Sequence, residues 1–492
     1  MKQEVKFQAP ESSHLHESPL RRRYGSDEMK KIWDPQNLWL KVRDVWVANA
    51  RAQKGAGLVR PAELRDLIKH RSEIDIDDIE RREMDRTYRD EVTGESKYTG
   101  HDVIAAIAEF GERATVGSRI IHQGMTSEDA LSNAEMGLIH ESFDLLERRI
   151  VDVLARFAGH IDNYKDMVCM GYTHLQAAEP TTVGYRMARY AQDFLNDLHL
   201  IQTVRPLLKT KGMKGTVGTS ASYSALLEGT GLTVEDFEKQ VMEELGLEAV
   251  LISAQTYPRK FTYLAMTMLA SVGQSAHQFA TDTKILQFSD VNQAAEARDK
   301  EDLGSSYMPW KKNPRHSEST KSLTRGLPGK VSEAWHSASE GTLERGLEDS
   351  AGKREYLSSA FIIADEALLR VGKILDGFKV KEGPIKKSLD HYLPFFTLGG
   401  LMMELQRRGA DRTAVHALFA KHALTAQDAI DFTGQNPLIE LVCTETKLHN
   451  LMTEEELRDY FGTFEPNVGN APSQCTRFLK QELLPAIQQY NK

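Results

Sequence analysis

Chemistry at neutral pH needs groups that can give or take a proton, and in this sequence the candidates are serine hydroxyls in one loop and a few imidazoles. The loop is GSSYMPWKKNPRHSE, from Gly304 to Glu318, which sets Ser305 and Ser306 side by side ahead of two prolines, two lysines and an asparagine. Helix propensity across it is low, so it forms a loop, and by composition alone it is a polar surface connector. A hydroxyl is a weak base unless its alkoxide is stabilised and water is excluded, so chemistry there requires donors close by. Histidine suits the acid role at neutral pH. Of the 16 histidines, most are expected at the surface or at helix caps; His101, His122 and His174 are set apart by the strings around them.

Such groups need rigid elements to hold them. Met187, Tyr190, Phe194, Leu198 and Ile201 recur at three- and four-residue steps, as do Leu264, Met268 and Val272, with Phe279 and Leu286 further along the same stripe. That spacing predicts long bundle helices. No convincing alternating series bounded by turn dipeptides is present, which makes the fold class all-α. Glycine and small polar residues cluster at Lys211 to Ser222, Asp290 to His316 and Ser337 to Lys353; these breaks between helices are where a bundle can place polar groups. Boundaries near Gly111 and Ala364 divide the chain into a head (1–111), a central long-helix bundle (112–364) and a tail (365–492).

A chain of 492 residues exceeds what one core usually supports. Its net charge of -9, with acids and bases interleaved, supplies no basic footprint for nucleic acid. Cys169, Cys443 and Cys475 lie too far apart for a paired metal or disulfide pattern. The amino-terminal stretch lacks the apolar core of a secretory signal, so a cytoplasmic protein is expected. The uncharged stretch Phe261 to Thr281 contains Gln274, His277 and Gln278, and reads as a buried helix rather than a membrane span.

The loop resembles the fumarase and aspartase superfamily pattern G-S-S-x-M-P-x-K-x-N-P, matched at Gly304, Ser305, Ser306, Met308, Pro309, Lys311, Asn313 and Pro314. The resemblance implies that the second serine, Ser306, removes a proton from a carbon beside a carboxylate; the residues alone leave Ser305 open. Removing that proton puts further negative charge on the carboxylate, so preset donors lower the barrier. Loop N–H groups, Lys311 and Asn313 are the expected donors, with Glu318 in the surrounding polar network. YTHLQAAEPTTVG looks like the superfamily's T-H-x-Q-x-A-x-x-T-x-x-G, which implies His174 as general acid and a helix starting after the threonines. IIHQGMTSED is similar to H-x-G-x-T-S-x-D and implies oxygen contacts from His122, Thr126 and Ser127.

Within the superfamily, several strings resemble the adenylosuccinate lyase family. GHDVIA is similar to R-H-D-V-x-A and nominates His101 and Asp102, with Gly100 where the family commonly has arginine; alternatively His101 and Asp102 cap the following helix. SPLRRRY nominates Arg23 and Tyr24, AQTYPRK nominates Gln255 and Arg259, and ERGLEDSAGKR nominates Arg345, Ser350 and Lys353. At Lys353 a point charge replaces an arginine fork. The resemblance implies cleavage of a succinylated purine nucleotide to fumarate without metal or cofactor, no nucleic-acid or membrane partner, and a homotetramer with shared active sites. A sister lyase acting on another succinyl or dicarboxylate substrate is the alternative.

Overall fold

The apolar stripes become long helices in the computed structural model, which describes residues 18–296, 308 and 310–490. Those that matter for the site are α1 (Pro35–Gly55), α2 (Asp102–Arg113) and α3 (Ser127–Tyr164), then, after a hairpin of β1 (Val168–Thr173) and β2 (Gln176–Thr182), α4 (Val183–Val204) and α5 (Lys260–Gln287). They are followed by α6 (Arg315–Thr324), α7 (Ser350–Asp376) and α8 (Glu382–Arg407). Local chemistry starts several of them: Asp34 accepts the Gln36 N–H ahead of Pro35, so α1 begins with a side-chain cap and a proline where no N–H is needed. The stripe on α4 is buried throughout, Met187, Tyr190, Phe194, Leu198 and Ile201 each being 3% exposed or less. Phe261 to Thr281 lies within α5, and among the described residues no helix is long and apolar enough to cross a membrane.

The chain divides into two compact units. One comprises residues 1–151, 196–278 and 318–371. Its core gathers Trp46 and Val42 of α1, Val103, Ala106 and Phe110 of α2, and Ala130 and Ala134 of α3; the Trp46 and Phe110 rings stack at 6.0 Å. The other comprises 152–195, 279–317 and 372–492. There Phe157 packs against Phe194 and Phe279 at 5.8 and 5.2 Å, and a further core forms around Leu401, Leu405, Phe419, Val442 and Leu457.

The class is all-α as expected, but among the described residues the absence of strands is corrected at two places, the shorter being an antiparallel pairing of Ala294–Ala295 with Lys379–Val380. β1 and β2 form an antiparallel hairpin in register Val168 with Thr182 through Thr173 with Gln176. Its two-residue turn is His174–Leu175, with φ of 53° and 60°. Two left-handed residues suit the primed turns that match the twist of paired strands, and such turns usually carry Asn-Gly or Asp-Gly. With His-Leu there, the usual signal was missing. Proline at position 180 and a register shift between Met170 and Tyr172 also break the alternation. At that shift a Cβ on Gly171 would lie 2.5 Å from the Glu179 carbonyl oxygen, so only glycine fits.

Candidate active site

In the first unit, the turn from His122 to Ser127 is held from several sides. His122 has a φ of 64°, and its Nδ1 accepts the Trp46 indole N–H at 3.0 Å. That bond leaves the proton of a neutral ring on Nε2, so His122 presents a donor. Burial, reinforced by His101 and opposed by Asp129, pushes its pKa down to about 4. The Gln123 carbonyl accepts N–H groups from Asn49 and Gln53 at 3.2 and 3.0 Å, and the Gly124 carbonyl accepts the Ser222 hydroxyl at 2.8 Å. Thr126 and Ser127 open α3, a 38-residue helix whose first-turn N–H groups favour an anion. The turn therefore offers a neutral imidazole donor, two hydroxyls and a helix amino terminus.

A pH signature follows. A histidine whose folded pKa is depressed contributes stability that is present above its unfolded value near 6.5 and lost as pH falls toward 4. Between pH 7 and pH 5 this amounts to about 2 kcal/mol. His122→Asn, which tolerates the left-handed backbone, should flatten the dependence by that amount, read from urea midpoints at the two pH values; parallel curves for the two proteins would contradict the neutral assignment.

At the amino terminus of α2, His101 is the cap residue but makes no side-chain capping bond. Its Nδ1 lies 3.1 Å from Asp102, and Asp102 holds Arg354 of α7 at 2.9 Å. Gly100 has a φ of 66°, with the Tyr98 hydroxyl 2.8 Å from where a Cβ would stand. Arginine in that backbone would be strained, which accounts for the glycine.

Deeper in the unit, Glu128 and Glu135 of α3 and Lys353 of α7 join Arg259, Arg345 and Asp349, which lie outside both helices, in an alternating ladder. Glu128 holds Arg345 at 3.1 Å, Arg345 holds Asp349 at 2.8 Å, and Asp349 holds Arg259 at 2.6 Å. Arg259 in turn lies 3.6 Å from Glu135, which takes Lys353 at 2.7 Å and the Tyr257 hydroxyl. Burial alone would raise the Glu135 carboxyl, but Lys353 and then Arg259 outweigh it and hold it below its ordinary value. Three acids face three bases, so the buried charges balance.

In the second unit, His174 is exposed at the hairpin tip. The hairpin is anchored by the Tyr172 hydroxyl, which contacts Ser388 at 3.0 Å and accepts from Gln293 at 2.8 Å. Ser305 and Ser306 lie outside the described residues. The residues flanking them are tied down: the Glu296 carboxylate accepts the His316 and Ser317 N–H groups at 2.8 and 3.0 Å and the Ser317 hydroxyl at 2.7 Å. Gln287 accepts the Glu296 N–H at 3.0 Å and donates to the Lys312 carbonyl at 3.0 Å. Lys311 is exposed and Asn313 half-buried.

A protein-family model described as a lyase matches residues 26–329. The adenylosuccinate lyase of Saccharomyces cerevisiae is 32% identical over 479 residues, covering 96% of this chain and 96% of that protein. The chain belongs to the adenylosuccinate lyase family. It is thus a lyase. The adenylosuccinate lyase of Schizosaccharomyces pombe is 31% identical over 96% of this chain and 95% of its own length. In fold the chain matches the 3-carboxy-cis,cis-muconate lactonizing enzyme of Pseudomonas putida, with a TM-score of 0.79 and 19% identity, covering 96% of this chain and all of that one.

For a member of the adenylosuccinate lyase family, the nominated residues are placed unevenly. His101 and Asp102 meet α7 through Arg354. His122, Thr126 and Ser127 share one turn, which runs through Glu128 to Arg345. Ser350 starts α7, and Gln255 is tied by its N–H to the Glu344 carbonyl at 3.1 Å. Arg259 and Lys353 point inward, with side chains 9% and 11% exposed, and hold carboxylates. The exposed base beside Lys353 is Arg354, at 62%; successive helix residues point about 100° apart. Arg23 and Tyr24 stand apart. The Gly25 and Ser26 N–H groups bond Glu366 and Asp365 of α7, about 18 Å along the helix from Arg354 at roughly 1.5 Å per residue. His174, Lys311 and Asn313 belong to the second unit, and Glu318 is an exposed residue in the first turn of α6. Glu128, Glu135, Asp349, Trp46 and Glu296 were not foreseen, because their roles depend on partners distant in sequence.

Proposed function

We propose that this protein cleaves the carbon–nitrogen bond of N6-succinyl-AMP to give AMP and fumarate, and likewise cleaves the succinylated aminoimidazole carboxamide ribotide, in purine biosynthesis. What carries the reading is the nearly full-length match to relatives bearing the adenylosuccinate lyase name, in a chain that has Ser306, His174 and Lys311 at the motif positions. Ser306 takes the proton from the carbon beside a succinyl carboxylate, and His174 gives a proton to the departing purine nitrogen. Loop N–H groups, Lys311 and Asn313 stabilise the carboxylate as it gains charge, with Glu318 ordering the polar groups around them. His122, Thr126 and Ser127 hold the other carboxylate at the start of α3, a site suited to an anion. His101 and Asp102 lie beside the acid, Gln255 and Arg259 belong to the substrate-binding wall, and Arg23, Tyr24, Arg345, Ser350 and Lys353 form the nucleotide and phosphate site.

In this reading the head, bundle and tail divide at 1–111, 112–364 and 365–492, and a homotetramer assembles each site from several subunits. Two observations favour assembly. Arg23 and Tyr24 stand away from His101 within one chain, and Leu251, Ile252, Leu343 and Leu347 are 88, 79, 96 and 73% exposed on two loops joined through Gln255 and Glu344. Such apolar exposure marks contact surfaces.

The test is incubation of the purified, assembled protein with succinyl-AMP while ultraviolet absorbance and fumarate are followed. Fumarate and AMP in equal amounts are expected. No fumarate from succinyl-AMP, with turnover of argininosuccinate instead, would move the assignment to a sister lyase.

A further inference from the structure

Asp129 and Lys211 are both fully buried, and their charged groups meet at 2.5 Å. An isolated buried pair of this kind adds little stability, since the cost of dehydrating both charges offsets their attraction. The surroundings give it another purpose. Asp129 is the third residue of α3, and its Oδ2 accepts the Thr126 N–H at 3.0 Å, as in a capping box. A capping box needs nothing from elsewhere in the chain. Here the same Oδ2 accepts the Tyr223 hydroxyl at 3.0 Å, while Oδ1 accepts the Gly215 and Lys214 N–H groups at 3.1 and 3.3 Å. The Lys211 ammonium also donates to the Gly215 carbonyl at 2.8 Å. One carboxylate thus takes five donors, four of them from residues 211–223, and an ionised carboxylate is the one side chain that accepts this many without offering a donor of its own.

We infer that Asp129, paired with Lys211, is a positioning residue: it pins the glycine-rich loop 211–220 to the turn 122–127, and so sets the Thr126 and Ser127 hydroxyls and the first N–H groups of α3 at the distance a substrate carboxylate requires. This rests on the proposed role of that turn. Displacement of such donors weakens substrate and transition state alike, so the effect falls on KM more than on kcat.

The variants are Asp129→Asn, Lys211→Met and the two combined, assayed on the assembled enzyme with succinyl-AMP beside Thr126→Ala/Ser127→Ala. Each single change leaves one buried charge alone and should lower Tm. The combined change removes both charges and should recover much of Tm, yet its amide cannot accept all the loop donors. KM is therefore expected to remain raised about tenfold or more, with kcat within about threefold of the parent. Recovery of KM together with Tm in the combined variant, or an unchanged KM in Asp129→Asn, would leave Asp129 a packing residue and overturn the inference. Should Asp129→Asn not assemble, the combined variant decides alone. An unchanged KM in Thr126→Ala/Ser127→Ala would remove the role of the turn and the inference with it. A raised KM there without one in the Asp129 variants defeats the inference only.

Discussion

His174→Asn is expected to lower kcat by about 10² to 10⁴ with KM little changed, the loss typical of removing a positioned general acid. The choice of asparagine follows from the backbone. His174 stands at φ 53° in the hairpin turn, and asparagine is among the few residues that adopt that region readily, whereas alanine there adds strain of its own. The variant should keep the His174–Leu175 turn and lose only the proton. Ser306→Ala should show a loss of similar size, and the two changes together little more than either, because groups serving one step act as a unit. The measurement is steady-state release of fumarate. A kcat within tenfold of the parent for His174→Asn would remove His174 from the acid role, and a parent no faster than either variant would make the protein a binding scaffold rather than a catalyst.

The second large effect concerns stability. Arg259→Met should destabilise the fold by about 3 to 5 kcal/mol, the usual result of deleting one member of a buried ionic group. Arg259 lies between Asp349 at 2.6 Å and Glu135 at 3.6 Å and covers the Tyr257 ring at 4.6 Å. Methionine keeps part of the apolar stem but leaves three carboxylates, Glu128, Glu135 and Asp349, facing two bases, Arg345 and Lys353. Burial tends to raise both carboxyls, and in the parent Arg259 is the largest opposing influence on Asp349 and the second, after Lys353, on Glu135, so both are held below their ordinary values. Their stabilisation is present above the unfolded pKa near 4 and is lost as pH falls through the lower folded values. In the variant burial is less opposed, the folded pKa values rise, and protonation begins to relieve the unpaired charge. The gap between parent and variant should narrow from pH 7 to pH 5 in urea denaturation followed by circular dichroism. A loss under about 1 kcal/mol at pH 7 would show that Lys353 and Arg345 suffice.

The fold and the site differ in how far they were written locally. Helical periodicity is a property of neighbouring residues, so the buried stripe Met187 to Ile201 was legible from spacing alone, whereas the start of α4 directly after Thr182 came with the family resemblance. The segment Gly304 to Glu318 and the turn Ile120 to Asp129 were legible as strings, because each motif is made of residues adjacent in the chain, but the loop expected as far as Glu318 is corrected at its end, where α6 takes over from Arg315. The hairpin carrying His174 was not, since strand pairing is a relation between two segments and its His-Leu turn lacks the usual glycine. Nor could spacing tell that Lys353 turns to Glu135 while Arg354 turns to Asp102, or that Arg259 lies between two acids.

By itself, then, the sequence determined the all-α class, the breaks between helices and the residue types available for proton transfer. Only the tertiary structure decided which charges are consumed in holding the molecule together and which face outward. A charge acquires its role from the partner it meets, and for Asp129, Glu135 and Glu296 those partners include residues 20 or more positions away in sequence.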